Sequence, residues 1–145
     1  MDRALELARQ AADRGEVPVG ALIIGPDGRV IAEAHNLTRA RADPTAHAEM
    51  LAIQQAARVL QSERLIGCDL YVTLEPCPMC AAAISFARLR RLYFGASDPK
   101  SGGVEHGARI FSHATCHHVP EIYPGLGEGE SRALLERFFA GLREG

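Results

Sequence analysis

The stretch Leu70-Tyr71-Val72-Thr73-Leu74-Glu75-Pro76-Cys77-Pro78-Met79-Cys80-Ala81 holds a strand and the start of a helix. Its first five residues are apolar or β-branched and read as a strand. Glu75-Pro76-Cys77-Pro78 ends that strand and opens a helix through Ala81 to Ala87. A proline at the first helical position costs little, because its missing N–H would have no helical partner there. Leu92-Tyr93-Phe94 is a further short strand.

Upstream, Val19 to Ile24 and Arg29 to Glu33 flank Gly25-Pro26-Asp27-Gly28, a tight-turn composition that predicts an antiparallel hairpin. Leu5, Ala8 and Ala12 recur at helical spacing and predict a first helix over residues 2–14, ending at Gly15. Residues 36–45 carry turn and capping residues without an apolar period and read as a loop. Asp43-Pro44-Thr45 then announces a helix with Met50, Ile53, Ala57 and Leu60 on one face and Leu51 and Ala52 on another.

Downstream, residues 95–107 form a long Gly-rich loop of the sort that carries function. It brushes the phosphate-loop pattern, but Pro99 stands where that motif requires glycine. Residues 110–129 carry no readable pattern. Leu134, Leu135, Phe138, Phe139 and Leu142 predict a last amphipathic helix with both phenylalanines on its core face. Helices alternating with strands after an opening hairpin imply a three-layer α/β domain with a mixed sheet.

The composition agrees with one globular domain. Of 145 residues, 47% are hydrophobic and 23% charged, with a net charge of −2. A chain of this size buries roughly 70% of its unfolded surface and needs no disulfide staples. There is no internal repeat and no apolar run near the ~20 residues of a membrane span, so an unexported, cytoplasmic protein is expected. The net charge speaks against a strongly basic nucleic-acid binder, but its distribution is uneven. Between Phe86 and Arg109 five bases face two acids, whereas residues 121–145 hold five glutamates against three arginines. Arg88, Arg90 and Arg91 are therefore possible contacts to an RNA backbone, and a solvated helix end is the plain alternative.

Chemistry concentrates at two helix starts. Cys77 and Cys80, three residues apart, put both sulfurs on one face of a first helical turn, where free N–H groups favour thiolate. His47-Ala48-Glu49 opens the preceding helix. One imidazole and two thiolates are a tetrahedral zinc set with an open fourth position, which is the catalytic arrangement. Glu49, two residues from the ligand, can face a metal-activated water as proton shuttle. A fourth ligand from Cys68 or Cys116 would instead close a structural zinc site; His-x-Glu at a helix start and the proline before Cys77 favour the open one. Cys116-His117-His118, with His113 and His106 nearby, lacks a partner pair at ligand spacing for a second metal.

Three runs carry a family likeness: Glu16-Val17-Pro18-Val19-Gly20-Ala21, Asp43-Pro44-Thr45-Ala46-His47-Ala48-Glu49, and Leu70 through Ala81. Together they resemble the bacterial tRNA-specific adenosine deaminases of the cytidine-deaminase-like zinc superfamily, from about residue 4 to 103 and again in the last helix. The resemblance implies an α/β/α fold with a mixed five-stranded sheet, one zinc per subunit and a homodimer. It also implies hydrolytic deamination of the wobble adenosine of a tRNA anticodon to inosine, with a zinc-activated hydroxide attacking C6 and Glu49 moving the protons. Asn36, Val17, Pro18, Val19, Ala48, Asp98 and Lys100 match substrate-binding positions of that family. Guanine and other nucleobase deaminases share much of the same motifs and form the second reading. A non-catalytic RNA-binding subunit with a structural zinc is the third.

Overall fold

The computed structural model describes residues 1–144. In chain order it contains α1 (Asp2–Asp13), β1 (Gly20–Ile24), β2 (Val30–His35), α2 (Ala48–Leu60), β3 (Asp69–Leu74), α3 (Pro78–Phe86), β4 (Arg91–Ala96), β5 (Glu121–Tyr123) and α4 (Glu128–Glu144). The five strands form one sheet in the order β2-β1-β3-β4-β5. The hairpin and the β1–β3 pair are antiparallel, while β3–β4 and β4–β5 are parallel, so the sheet is mixed as expected.

Strand alternation sorts the two faces. Ala21, Val72 and Phe94 stand in register, as do Ile23, Leu70 and Leu92, and all six point to the face covered by α2 and α3. Leu51, Ala52 and Ala56 of α2 and Ile84 of α3 complete that core. Removing Phe94, which is fully buried, is expected to cost about 3–5 kcal/mol. In the Phe94→Ala variant the urea midpoint should fall with an unchanged slope.

On the opposite face α1 lies directly on β1. A Cβ at Gly20 would sit 2.0 Å from the Ala4 carbonyl oxygen, so only glycine admits the helix at this distance. The α4 helix joins through Ser131, whose hydroxyl donates to the Thr73 carbonyl, and through Leu134 packed with Leu5 and Ala8. Below these helices Tyr71, Tyr93 and Tyr123 stack across β3, β4 and β5, with centroids 4.4 and 4.9 Å apart.

Three expectations change. The buried side of α2 is Ala48, Glu49, Leu51, Ala52 and Ala56, while Leu60, expected inside, is exposed at the end of the helix. The last helix begins at Glu128, and Phe139 lies on its exposed side because the adjacent Phe138 takes the inward position. Residues 110–129, unreadable in sequence, hold a 3-10 turn at Ile110–Ser112 and the edge strand β5.

Candidate active site

Both α2 and α3 begin at the same place. His47 is the N-cap of α2 and Cys77 the N-cap of α3, each in extended conformation, with Pro78 opening α3. The chain leaves β3 through Glu75 and Pro76 straight into Cys77, so the carboxyl end of a central strand aims this helix start. Two helix N-termini with their unpaired N–H groups and positive dipole ends therefore converge on one point.

His47 Nδ1 lies 3.6 Å from Cys77 Sγ and 3.6 Å from Cys80 Sγ. The three ligand atoms all lie within 4.8 Å of one another, and they are the only such group among the described residues. A tetrahedral ion with bonds of ~2.3 Å to sulfur and ~2.0–2.1 Å to nitrogen holds N and S about 3.6 Å apart, so this triangle fits zinc. Hydrogen bonding to Cys80, reinforced by His47, outweighs burial and holds Cys77 at about 4, in the thiolate range. Cys80 is pushed up by its bond to Cys77 and by burial. Glu49, in the first turn of α2, is buried, and desolvation raises it to about 7. A carboxyl near neutrality beside a metal triangle is matched to proton transfer.

The remaining cysteines lie elsewhere. Cys68 packs in the core before β3 and contacts the Ile66 carbonyl. Cys116 lies against Ser85 Oγ and the His118 carbonyl, and His118 Nε2 bonds the Leu89 carbonyl. These contacts fasten Cys116 and His118 to α3 and the turn that follows it. Neither cysteine closes the triangle.

Asn36 is occupied by structure. Its Oδ1 accepts from Ala48 N at 2.8 Å, satisfying a free N–H at the start of α2, and its Nδ2 donates to the Val17 carbonyl at 3.2 Å. The amide thus ties the segment leading into β1 and the chain leaving β2 to the start of α2. Pro18 and Val19 are interior, and only Val17 reaches a groove of about 830 Å³ between the 97–101 segment and α4. Asp98 and Lys100 line the same groove opposite Arg132, Phe139 and Arg143. Asp98 Oδ1 also accepts from the backbone N–H groups of Lys100 and Ser101, which makes it the cap of its own turn.

Arg88, Arg90 and Arg91 are not brought to the site. They follow α3, whose nine residues place them about 13 Å along the axis from the Cys77 end. Arg88 adopts φ 60° just past the helix, while Arg90 makes a two-pronged ion pair with Asp69 at 2.7–2.9 Å. Arg91 bonds Glu121 at 2.7 Å. Strand pairing sets Arg91 between Asp69 and Glu121, so Arg90 and Arg91 are each held by a carboxylate.

The arginines of α4 and two buried carboxylates escaped sequence reasoning. Glu16 accepts from the backbone N–H groups of Arg39 and Ala40, and Glu75 accepts from those of Asp98, Val104, Glu105 and His106. An acid inside an apolar run, as in Val72-Thr73-Leu74-Glu75-Pro76, is the signal that marks such a group.

Residues 1–142 match the model of the MafB19-like deaminase family, and the chain belongs to it. A tRNA-specific adenosine deaminase of Agrobacterium fabrum is 60% identical over 139 residues, covering 96% of this chain and 91% of the relative. The chain accordingly belongs, within that class, to the tRNA-specific adenosine deaminases. A solved structure from work on A-to-I editing by tRNA:A34 deaminases superposes with a TM-score of 0.91 at 60% identity, over 93% of this chain and 97% of that one. The guanine deaminase of Bacillus subtilis superposes with a TM-score of 0.66 at 34% identity, over 94% and 90%.

Proposed function

We propose that the protein converts the wobble adenosine of a tRNA anticodon to inosine by hydrolysis, with zinc held by His47, Cys77 and Cys80. The observation that carries this reading is the His47–Cys77–Cys80 triangle with Glu49 buried beside it, in a chain 60% identical to a tRNA-specific adenosine deaminase. When bound, zinc supplies the Lewis acid that lowers the pKa of water from 15.7 towards about 7. Glu49 takes the proton that the attacking water gives up and delivers it to N1 of the adenine ring. It then takes the second proton from the oxygen now bonded to C6 and passes it to the departing amine, so that the C6–N bond breaks, the C6 carbonyl forms and ammonia leaves. Asn36 holds Ala48, and through it the start of α2, against Val17. The groove past Val17 carries Lys100 and Arg143 for phosphate contact, alongside Asp98, Glu136 and an Arg132 already paired with Glu128, and is read as a path for the RNA.

Domain organisation is read as a single deaminase domain over residues 1–145, working in the cytoplasm where tRNA is found. No helix among the described residues is long and apolar enough to cross a membrane. A homodimer is inferred, and the exposed Phe86 of α3 suits a subunit contact. Incubation with an adenosine-containing anticodon stem-loop should convert that adenosine to inosine within the RNA and release ammonia, with a rate that falls steeply as salt rises. Turnover of free guanine with the stem-loop left intact would overturn the RNA reading in favour of a nucleobase deaminase.

A further inference from the structure

Glu75 takes no part in the metal triangle, yet its side chain is fully buried and carries five hydrogen bonds. Oε1 accepts from Asp98 N at 3.0 Å and pairs with His106 Nδ1 at 2.7 Å. Oε2 accepts from the N–H groups of Val104, Glu105 and His106 at 3.0–3.2 Å. Four of the five donors are backbone groups of one segment, residues 98–106, that would otherwise be left without partners. The same segment is pressed onto the metal-bearing turn. Gly103 N donates to the Pro76 carbonyl at 2.8 Å, and a Cβ on Gly103 would lie 2.5 Å from Pro78 N. A Cβ on Gly102 would lie 2.4 Å from Glu75 Oε2. Only two consecutive glycines let the loop lie this close to both the carboxylate and the start of α3.

We infer that Glu75 is a positioning residue for substrate recognition: its carboxylate holds residues 98–106 in fixed register with the Cys77–Pro78 turn, so that Asp98 and Lys100 stand at the groove between residues 97–101 and α4. The inference rests on the RNA reading of that groove. Glu75 reaches the substrate only through the loop, so its loss acts on RNA binding ahead of the chemical step. A carboxylate is required, because an amide has one acceptor oxygen, and its NH2 would face N–H donors.

The test uses the full chain as Glu75→Gln and, because a buried variant risks misfolding, also as His106→Ala, which removes one half-exposed donor. Amide hydrogen exchange is followed on the free proteins, and zinc content, KM and kcat are measured with the anticodon stem-loop. Glu75→Gln is expected to lose protection at Asp98, Val104, Glu105 and His106 and to raise KM about tenfold or more, with kcat within about threefold and zinc retained. His106→Ala should shift KM the same way by a smaller factor. Unchanged protection in both variants overturns the clamp. A fall in kcat at unchanged KM, or loss of zinc, overturns the assignment to recognition. Absence of inosine from the wild type sinks the RNA reading instead, and the exchange pattern then decides the clamp by itself.

Discussion

Replacing Glu49 with glutamine is expected to lower kcat by roughly 10²–10⁴, the usual contribution of a positioned acid–base group, while zinc content and affinity for the stem-loop stay at the wild-type level. The substitution keeps the volume and part of the hydrogen bonding of a side chain that is 4% exposed, so the packing around Ala48 and Leu51 is preserved. What it removes is the ability to take a proton and give it back. Burial already places the carboxyl at about 7, far closer to the working pH than a solvated glutamate. Single-turnover measurements at saturating stem-loop isolate the step. A variant within tenfold of wild type would mean that another group moves the proton.

Removing the metal should have an effect of similar or greater size. Chelation with 1,10-phenanthroline is expected to abolish turnover and added Zn2+ to restore it. Cys80→Ser should lower bound zinc and cost several kcal/mol of barrier, roughly 10³-fold or more in rate. Because His47 and Cys77 cap two different helices, bound metal ties the start of α2 to the start of α3. Stripping it should therefore also lower the thermal midpoint, as expected for a ligand that binds only the folded state. Full activity in a protein shown to be free of metal would rule out the catalytic role of the triangle.

Much of the architecture was legible because its signals are local. The apolar spacing of α1, the turn between β1 and β2, and the passage from β3 through Pro76 into α3 each depend on residues a few positions apart. The metal set was legible for the same reason: His47 and Glu49 share one helix start, and Cys77 and Cys80 another. Features created by pairing between distant segments were not. A sum of charges over residues 86–109 counts Arg90 and Arg91 as available, yet Asp69 and Glu121 neutralise them through the β3–β4 and β4–β5 registers. The three-residue strand β5 has too few positions to show alternation, and it exists because β4 offers a free edge. The internal bonds of Asn36 to Val17 and Ala48 are likewise invisible in the sequence, because those partners lie 19 and 12 positions away.

The tyrosine stack has a spectroscopic consequence. The chain contains three tyrosines and no tryptophan, and all three tyrosines belong to the stack on β3, β4 and β5. The near-ultraviolet absorption and intrinsic fluorescence of the protein thus arise mainly from one array of coupled chromophores, whose last member sits on the short edge strand. Near-ultraviolet circular dichroism becomes a site-specific reporter: detachment of β5 alone would uncouple Tyr123 and change the band while the far-ultraviolet helix signal stays constant. Partial opening of this edge can be followed without adding any label to the molecule.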